Sequence, residues 1–249
     1  MSIFVAAPVA AAHAVLSKRQ KELGVLLLDI GGTTSGIAAF EEGSMIHAAV
    51  LPVGAAHITN DIAIGLRVSL DTAEAIKKNL PPTDSPSKVL DPKNPSSKKT
   101  ADEIDLYKLG IKDGPKKISR KAVAEGIVRP RLNEIFELVK TEIVKGGVIG
   151  KTPAGLVITG GGSLTYNVQD SARKVLGLQS RIGFPGGLTG LTDEIKTPEY
   201  SCVAGLLQIT ARQSEQAPTR SSRLPKISSS FNVKGSAKKL VDFIKSFLP

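Results

Sequence analysis

The chain has 249 residues, of which 41% are apolar and 22% are charged. This balance is typical of a globular domain and excludes wholesale disorder, collagen and a coiled-coil rod. No apolar run reaches the ~20 residues that a membrane-spanning helix needs. The net charge of +10 arises entirely in residues 81–121 and 212–249. A nucleic-acid-binding body should carry its positive charge on the folded core, so the charge pattern argues against a nucleic-acid partner.

The first residues predict a strand and a helix and not a secretion signal. Residues 2–5 favour a short strand, and Pro8 can open an alanine-rich helix that runs to about Lys21. In a secretory signal the positive residues precede the apolar stretch, whereas here Lys18, Arg19 and Lys21 follow it.

Three strands are expected next. Residues 25–30 (VLLLDI) form a continuous apolar run that predicts a buried strand. A short strand is predicted at 37–40 and a third strand at 44–53, on either side of the turn signal at 41–43. Because connections this short join antiparallel neighbours, the three strands should form a meander.

The middle of the chain predicts two helices, a loop and an edge strand. Helices are expected at 58–66 and after Ser69, which is a favourable N-cap residue. Residues 81–100 are rich in Pro, Ser and Lys and predict a mobile loop. Residues 105–109 favour a short edge strand.

Further along, helices and strands alternate. A helix with apolar residues at a 3.6-residue spacing begins near Ser119, is kinked or split at Pro130, and ends at Gly146. The remaining predicted elements are a strand at 156–159, a helix at 164–176, a strand at 181–184 and a helix from Thr197, as N-cap, to about residue 212. This alternation predicts an α/β domain. The single cysteine, Cys202, lies in an apolar stretch and is interpreted as a buried, inert thiol.

Two glycine-rich turns, each after a short apolar strand, are the candidates for chemistry. The first turn, residues 31–34, consists of Gly31, Gly32, Thr33 and Thr34 and follows Asp29, and the second turn, residues 160–163, consists of Gly160, Gly161, Gly162 and Ser163. Glycine lets backbone N–H groups approach a ligand, which suits phosphate oxygens, and a carboxylate beside them suits Mg²⁺ through water. Either turn alone could equally be an ordinary tight turn; the pair is more specific.

The chain resembles the FtsA family of cell-division proteins, within the actin-like ATPase superfamily. The resemblance rests on LLLDIGGTTSGIAAFEEGSMIHAAVLPVGAAHITNDIAIGLR, AVAEGIVRPRLNEIFELVK and GLVITGGGSLTYNVQDSARKVLGLQSRIGFPGGLTGL. It covers about residues 5–211 and the end of the tail. It implies an α/β fold, namely half of an actin-like (ribonuclease H-like) ATPase domain with an inserted smaller subdomain.

The resemblance also implies a domain organisation for the C-terminal half of such a protein. Residues 1–23 correspond to the end of a first half and the helix that crosses from it. Residues 24–56 and 148–211 form a large subdomain, and 57–147 form a smaller inserted one. A linker at 212–235 and an amphipathic helix at 236–249 follow.

The resemblance assigns the two turns to a nucleotide, with ATP and Mg²⁺ as the implied ligands. Asp29 and the first turn would hold phosphate and metal, and the second turn, with Glu74 and Lys77, would contact the adenosine. Asp61 would line the same cleft. For Glu74, Lys77 and Asp61 a solvated helix face is the alternative, and His57 is interpreted as a turn or capping residue.

The first turn departs from the family pattern. Thr33 stands for the third glycine, Ser35 for the second threonine and Gly36 for the second acid. A β-branched residue resists positive φ, and the lost acid removes a charge near the metal. With the other wall of the cleft also missing, these changes predict weak nucleotide binding and at most weak ATPase activity.

The family also implies partners. The inserted subdomain would carry the surface for the tubulin-like protein FtsZ, with Arg129, Arg131 and Glu134 as candidate contacts, although a solvated helix face is the simpler interpretation. Nucleotide would control self-association into actin-like filaments.

The tail predicts a membrane anchor. In SAKKLVDFIKSFLP an apolar helix face carries Leu240, Val241, Phe243, Ile244, Phe247 and Leu248, with Lys238 and Lys239 beside it. A basic amphipathic helix at the end of a polar linker is typical of an interfacial anchor. A helix docked on a partner is the alternative.

Together with the tail, the resemblance implies a non-enzymatic adaptor that tethers the FtsZ ring to the cytoplasmic face of the membrane at the division septum. The competing hypothesis is another actin-like ATPase, such as a small-molecule kinase. The sequence offers no acceptor-binding domain with a catalytic base, and a kinase has no need of the anchor.

Overall fold

The computed structural model describes residues 4–80, 102–107, 117–188 and 195–216, with side chains up to residue 212. The predicted loop at 81–100 and the predicted amphipathic helix at 236–249 lie outside the described residues, as does most of the predicted linker. Residues Met1–Arg212 form one compact unit and Gln213–Pro249 a second. Within the described ranges, no helix is long and apolar enough to cross a membrane.

A five-stranded sheet with the order β3-β2-β1-β6-β7 forms the centre of the first unit. Its strands are β1 (Val25–Ile30), β2 (Ser35–Glu41), β3 (Ser44–Leu51), β6 (Leu156–Thr159) and β7 (Ser180–Ile182). The predicted meander is confirmed, because β1 pairs with β2 and β2 with β3 in antiparallel fashion. β6 lies parallel to β1 and β7 parallel to β6, so β1 and β6 end at the same edge of the sheet.

Helices cover both faces of this sheet. They are α1 (Ala7–Val15), α2 (Lys18–Leu23), α3 (Ala55–Leu66), α4 (Leu70–Lys78), α5 (Arg120–Val123), α6 (Arg129–Lys145), α7 (Val168–Leu176) and α8 (Ser201–Gln216). A short two-stranded sheet pairs β4 (Glu103–Asp105) with β5 (Lys117–Ser119).

Alternation along β1 separates two hydrophobic layers. Leu26, Leu28 and Ile30 face a large layer that includes the apolar sides of α3, α4, α6 and α7. Val25 and Leu27 face a smaller layer built largely from the alanines of α1, with Ala204 of α8. Burial on both faces explains why β1 is apolar at every position except Asp29. We call these layers the thick face and the thin face.

The prediction for the N-terminus is corrected in two respects. Residues 4–6 are not in a strand, and the side chain of Phe4 is exposed. The single helix expected from Pro8 to Lys21 is two helices, because Leu16 is extended and Ser17 starts a new one. The Ser17 hydroxyl accepts a hydrogen bond from the Gln20 N–H, and the Gln20 side chain accepts one from the Ser17 N–H, which is a complete capping box.

The helix expected from Ser119 is present but interrupted. The Ser119 hydroxyl caps α5, and a π-helical turn over Ala124–Val128 precedes α6. Pro130 has no N–H for a normal helical bond, and its ring crowds the carbonyl four residues earlier. The wider π turn accommodates this crowding, so the predicted interruption at Pro130 is confirmed. α6 ends at Lys145, before Gly146, as predicted.

Other boundaries are corrected. The helix predicted at 164–176 begins at Val168, because residues Gly161–Leu164 form a 3₁₀ turn and Asn167 adopts a left-handed conformation. Thr197 precedes a separate 3₁₀ turn, Pro198–Tyr200, and its side chain caps no helix. α8 continues to Gln216, so the linker does not begin at 212.

Two predicted strands begin earlier in the sequence and are shorter than expected. The edge strand expected at 105–109 is corrected to β4, at Glu103–Asp105, which shares only Asp105 with it; residues 108–109 lie outside the described ranges. The strand expected at 181–184 is β7, at Ser180–Ile182. The division of the first unit into subdomains at 56/57 and 147/148 stays a prediction.

Candidate functional site

A cavity of about 640 Å³ lies where β1 and β6 end. Loops after the carboxyl ends of neighbouring parallel strands meet at one edge, which is where open α/β sheets bind ligands. The lining residues come from both glycine-rich turns, α3, α4 and the 3₁₀ turn before α8: Gly31, Gly32, Ala55, Ala56, Glu74, Lys77, Lys78, Leu80, Gly161, Gly162, Leu164, Thr165 and Glu199.

The first turn is fixed by the start of α3. The N–H groups of Ala55 and Ala56 donate to the carbonyl oxygens of Gly31, at 2.9 Å, and Gly32, at 2.7 Å. Gly54 permits this approach, since a Cβ there would lie 2.6 Å from both carbonyl oxygens. The bonds also explain why α3 begins at residue 55 and not at 58.

Backbone donors remain available in the first turn. The N–H of Gly31 donates to the carbonyl of Thr34 at 2.9 Å, whereas Gly32, Thr33 and Thr34 have no backbone acceptor among the described residues. Gly32 lines the cavity. The side chains of Thr33 and Thr34 are exposed and lie outside the lining.

The second turn packs directly against the end of β1. A Cβ at Gly160 would collide with the Asp29 carboxylate and the Ile30 carbonyl, and φ there is 80°, so only glycine fits. Gly161 and Gly162 line the cavity, and neither N–H has a backbone acceptor in the described ranges. Ser163 is turned inward, where its hydroxyl donates to the Gly160 carbonyl at 2.7 Å.

Glu74 and Lys77 of α4 form an ion pair with each other. Lys77 Nζ lies 2.6 Å from Glu74 Oε2, and the Thr59 hydroxyl donates to the same oxygen at 2.6 Å. Burial alone would raise the pKa of Glu74, but the hydrogen bonds from Lys77 and Thr59 and the charges of Lys77 and Lys78 outweigh it and lower that pKa. Glu74 is therefore held ionised at the cavity wall.

Asp29 lies at the end of β1, where its carboxylate would meet a Cβ at Gly160 of the second turn. It alternates with Leu28 and Ile30 and so faces the thin face, where its charge adds to burial in raising the pKa of the Cys202 thiol. Burial raises the pKa of Asp29 to about 6. It is not among the cavity-lining residues. Cys202 is only partly buried, but its raised pKa agrees with an inert thiol.

The candidates on α3 and α6 lie away from the cavity lining. The interpretation of Asp61 as a cleft residue is corrected, because its carboxylate binds the Arg131 guanidinium through two contacts of 2.6 and 2.9 Å. Arg131 also contacts Glu134, whose side chain is 56% exposed. Arg129 is largely buried and contacts Glu125 at 2.8 Å.

His57 acts as a capping residue, as predicted, since its ring accepts a hydrogen bond from the Gly54 N–H at 3.2 Å. Sequence reasoning missed Glu199, whose side chain lies over Gly161, with its Cγ 3.5 Å from the position of a Cβ there. An acid just after the proline of a helix start was the available signal, and it is a weak one. Within the described residues there is no cluster of three potential metal ligands.

Comparison with solved structures identifies the fold. The crystal structure of MreB5 of Spiroplasma citri bound to ADP aligns with a TM-score of 0.61 and 18% identity, covering 86% of this chain and 62% of that one. Ta0583, an archaeal actin homolog, aligns with a TM-score of 0.53 and 14% identity, covering 82% of this chain and 54% of that one. The fold is the α/β fold of actin-like ATPases.

Sequence relatives identify the family. Cell division protein FtsA of Pseudomonas aeruginosa is 38% identical over 198 residues, covering 80% of this chain and 45% of the relative. That of Escherichia coli is 34% identical over 209 residues, covering 81% and 47%. The chain thus spans about half the length of the curated relatives it matches. The family model for cell division protein FtsA matches residues 26–205, and the chain belongs to the FtsA family.

Proposed function

We propose that this protein is an actin-like cell-division adaptor that ties an FtsZ filament to the cytoplasmic face of the membrane at the septum, and that bound nucleotide controls its polymerisation. The observation that carries the proposal is the cavity in which the first and second turns meet. FtsA membership supports the role in cell division.

The cavity suits the phosphate groups of ATP. The N–H groups of Gly32, Gly161 and Gly162 border it and lack backbone acceptors among the described residues, and such clustered donors bind anions. MreB5 of Spiroplasma citri crystallised with ADP and with AMPPNP, which supports a nucleotide here. When bound, ATP would supply the negative charge that these donors stabilise.

Magnesium would be held chiefly by phosphate oxygens and water, because the described residues contain no cluster of three ligands. Asp29 is the carboxylate at the end of β1 that could contact that water, as the sequence pattern predicts. Its raised pKa of about 6 means that it is largely ionised at pH 7. Hydrolysis in this chain would be slow or absent.

The FtsZ surface is proposed on α6, within the inserted subdomain of residues 57–147. Arg129 and Arg131 already form ion pairs within the chain, so their contribution would be to hold α6 in place. Glu134 is the most exposed of the three candidates and is the one best able to contact a partner.

The membrane contact is proposed at residues 236–249. Six apolar side chains contribute at most about 1.5–3 kcal/mol each when fully buried, and ordering the helix costs roughly 1 kcal/mol or more per residue. One tail is therefore a weak anchor, and a filament carrying many tails would bind far more tightly through avidity.

Vesicle sedimentation of the full chain tests the anchor. Phe243→Glu places a charge on the apolar face and should abolish binding, while Lys238→Ala with Lys239→Ala should weaken it only on anionic vesicles and at low salt. Circular dichroism checks that the domain is intact. Undiminished binding of the Phe243→Glu chain would refute the anchor.

Calorimetry with Mg-ATP tests the nucleotide site. The isolated chain should bind more weakly than micromolar, because the first turn lacks a glycine and an acid of the family pattern. An unchanged affinity after Gly161→Gln, which places a side chain into the cavity, would refute this site.

A further inference from the structure

We infer that Ser35 and His57 are positioning residues that hold the first turn in place for phosphate. They bind the two ends of one peptide group, the one that joins Val53 to Gly54. The inference rests on the proposed nucleotide function and concerns the phosphate end of the same cavity. Neither side chain is part of the cavity lining, so each acts on a ligand only through the backbone.

The peptide group between Val53 and Gly54 is bonded by side chains at both of its ends. The hydroxyl of Ser35, a fully buried residue, donates to the Val53 carbonyl oxygen at 2.7 Å. The Gly54 N–H donates to Nδ1 of His57 at 3.2 Å, so in the neutral ring the proton lies on Nε2. The Gly54 carbonyl, also 3.2 Å from Nδ1, accepts the N–H of His57 at 3.1 Å. Because hydrogen bonds at the two ends of a peptide group polarise it, each strengthens the other.

This peptide group leads directly into the start of α3, which holds the first turn. Ala55 and Ala56 are the first two residues of α3. The N–H of Ala55 donates to the Gly31 carbonyl at 2.9 Å, and the next N–H donates to the Gly32 carbonyl at 2.7 Å. Gly54 itself lies against the same two carbonyl oxygens, since a Cβ there would come within 2.6 Å of each. A displacement of the peptide group is therefore transmitted to both glycines of the turn.

Ser35 also closes the first turn at its other end. It follows Thr34 directly in the chain, and its pairing with Ile30 is the last one between β1 and β2. The Thr34 carbonyl accepts the N–H of Gly31 at 2.9 Å. A closed ring of contacts thus runs from Ser35 through the Val53 carbonyl and the start of α3 back to the glycines of the turn.

The first turn needs this support because its glycines have no side chains to anchor them. Only backbone contacts fix the directions of its remaining N–H groups, those of Gly32, Thr33 and Thr34, which have no backbone acceptor among the described residues. Backbone N–H groups bind an anion when they converge on it. A turn that is ordered before binding loses less entropy when phosphate arrives, and this order is what Ser35 and His57 supply.

Each of the two residues offers a pair of variants that differ in one hydrogen-bonding group. Ser35→Ala removes the hydroxyl, and Ser35→Thr keeps it. His57→Leu removes the acceptor, whereas His57→Gln supplies a side-chain oxygen that can accept the Gly54 N–H in a capping box. Ser180→Ala is the matched control. The Ser180 hydroxyl also donates to a backbone carbonyl, that of Gln169 at 3.2 Å, but on β7 at the far edge of the sheet.

Amide hydrogen exchange of the full, ligand-free chain tests the inference without a nucleotide. Ser35→Ala and His57→Leu should each speed exchange of the first two α3 amides by about fivefold, as expected when roughly one hydrogen bond is lost. Ser35→Thr, His57→Gln and Ser180→Ala should leave this exchange within about twofold of the parent chain.

The amide of Leu28, in the centre of the sheet, reports global opening in each variant. Exchange of the first two α3 amides that rises only in parallel with Leu28, or not at all, would overturn the inference. Exchange as fast in Ser35→Thr as in Ser35→Ala would also overturn it, because the lost hydroxyl would then not be the cause. If Ser35→Ala does not fold, the two His57 variants give the same comparison, since His57 is only partly buried.

Pyrophosphate and adenosine, used as separate probes, distinguish support of the first turn from a general loosening of the cavity. Ser35→Ala should bind pyrophosphate about fivefold more weakly than the parent chain, and Ser35→Thr should restore the affinity. Adenosine should bind within about twofold, because its proposed contacts lie in the second turn and α4. Equal losses for the two probes, or unchanged pyrophosphate affinity while the α3 amides exchange faster, would overturn the inference. If the parent chain binds neither probe, the proposed nucleotide function fails, and the exchange experiment alone decides whether Ser35 and His57 hold the first turn.

Discussion

The two faces of the central sheet are packed with side chains of different sizes. On the thick face, large side chains such as Phe136, Leu132 and Ile135 are fully buried between the sheet and its helices. On the thin face, alanines let α1 approach closely, and α8 crosses it at Gly205, where a Cβ would collide with the backbone of Ala10. The thick face gains its stability from buried apolar volume, whereas the thin face depends on small residues where α1 and α8 meet.

The faces also differ in their polar groups. The cavity opens beside the thick face, where Glu74 is ionised and paired. The thin face carries Asp29, whose pKa burial raises to about 6 and which has no hydrogen bond or ion pair among the described residues. The thick face thus stabilises the ionised Glu74. The thin face is destabilised by the ionised Asp29, whose charge a bound cation could offset.

Phe136→Ala tests the thick face and should have the largest effect. Removing a fully buried aromatic side chain costs about 3–5 kcal/mol through lost burial and the cavity left behind. Urea unfolding should show this loss with an unchanged slope. A loss below about 1 kcal/mol would mean that the layer can collapse around the gap, contrary to a tightly packed thick face.

Gly205→Ala tests the thin face through a single added methyl group. Because that carbon would meet the Ala10 backbone, α8 must move away from α1, at a cost of about 1–3 kcal/mol. Gly126→Ala is the control, since a Cβ there meets nothing within 4 Å. Equal stability of the two variants, measured by thermal unfolding, would contradict the close crossing.

Asp29→Asn should stabilise the ligand-free protein at neutral and higher pH. The folded protein raises the pKa from 3.8 to about 6, so between these values the folded state binds a proton that the unfolded state has lost. Stability therefore falls as pH rises through this window, by at most about 3 kcal/mol, and less because the carboxylate is partly exposed.

Urea unfolding at pH 4 and pH 8 measures this effect. The gain from Asp29→Asn should be present at pH 8 and nearly absent at pH 4. A gain of equal size at both pH values would show that the ionisation of Asp29 is not its cause.

Asp61→Asn should have the smallest effect. Its carboxylate binds Arg131 in a two-point contact between α3 and α6, but both side chains are about a quarter exposed, and such pairs contribute about 1 kcal/mol or less. A double-mutant cycle with Arg131→Met isolates the pair. A coupling above about 3 kcal/mol would show that this contact, and not apolar packing, joins the two helices.

The sequence predicted the local structure where one strong signal was present. The apolar run at Val25–Ile30, the short connections of the meander, the cap at Ser69 and the interruption at Pro130 were all correct. It failed where a residue had two possible roles. Ser17 looked like part of a helix but starts a new one. Residues 164–167 looked helical, but they precede the helix, and Leu164 and Thr165 line the cavity.

The sequence by itself determined that the chain has an α/β fold, that two glycine-rich turns follow buried strands, and that it resembles the FtsA family. The first two conclusions depend on periodicity and on glycine positions, which can be read from short stretches of sequence. The resemblance depends on longer stretches that match the family. Only the tertiary structure decided which side chains share the cavity, because strand alternation sends Asp29 to the thin face and packing directs Lys77 into α3. Pairings between residues far apart in the chain, such as Asp61 with Arg131 or Glu199 over Gly161, leave no periodic signal and arise only when the helices pack.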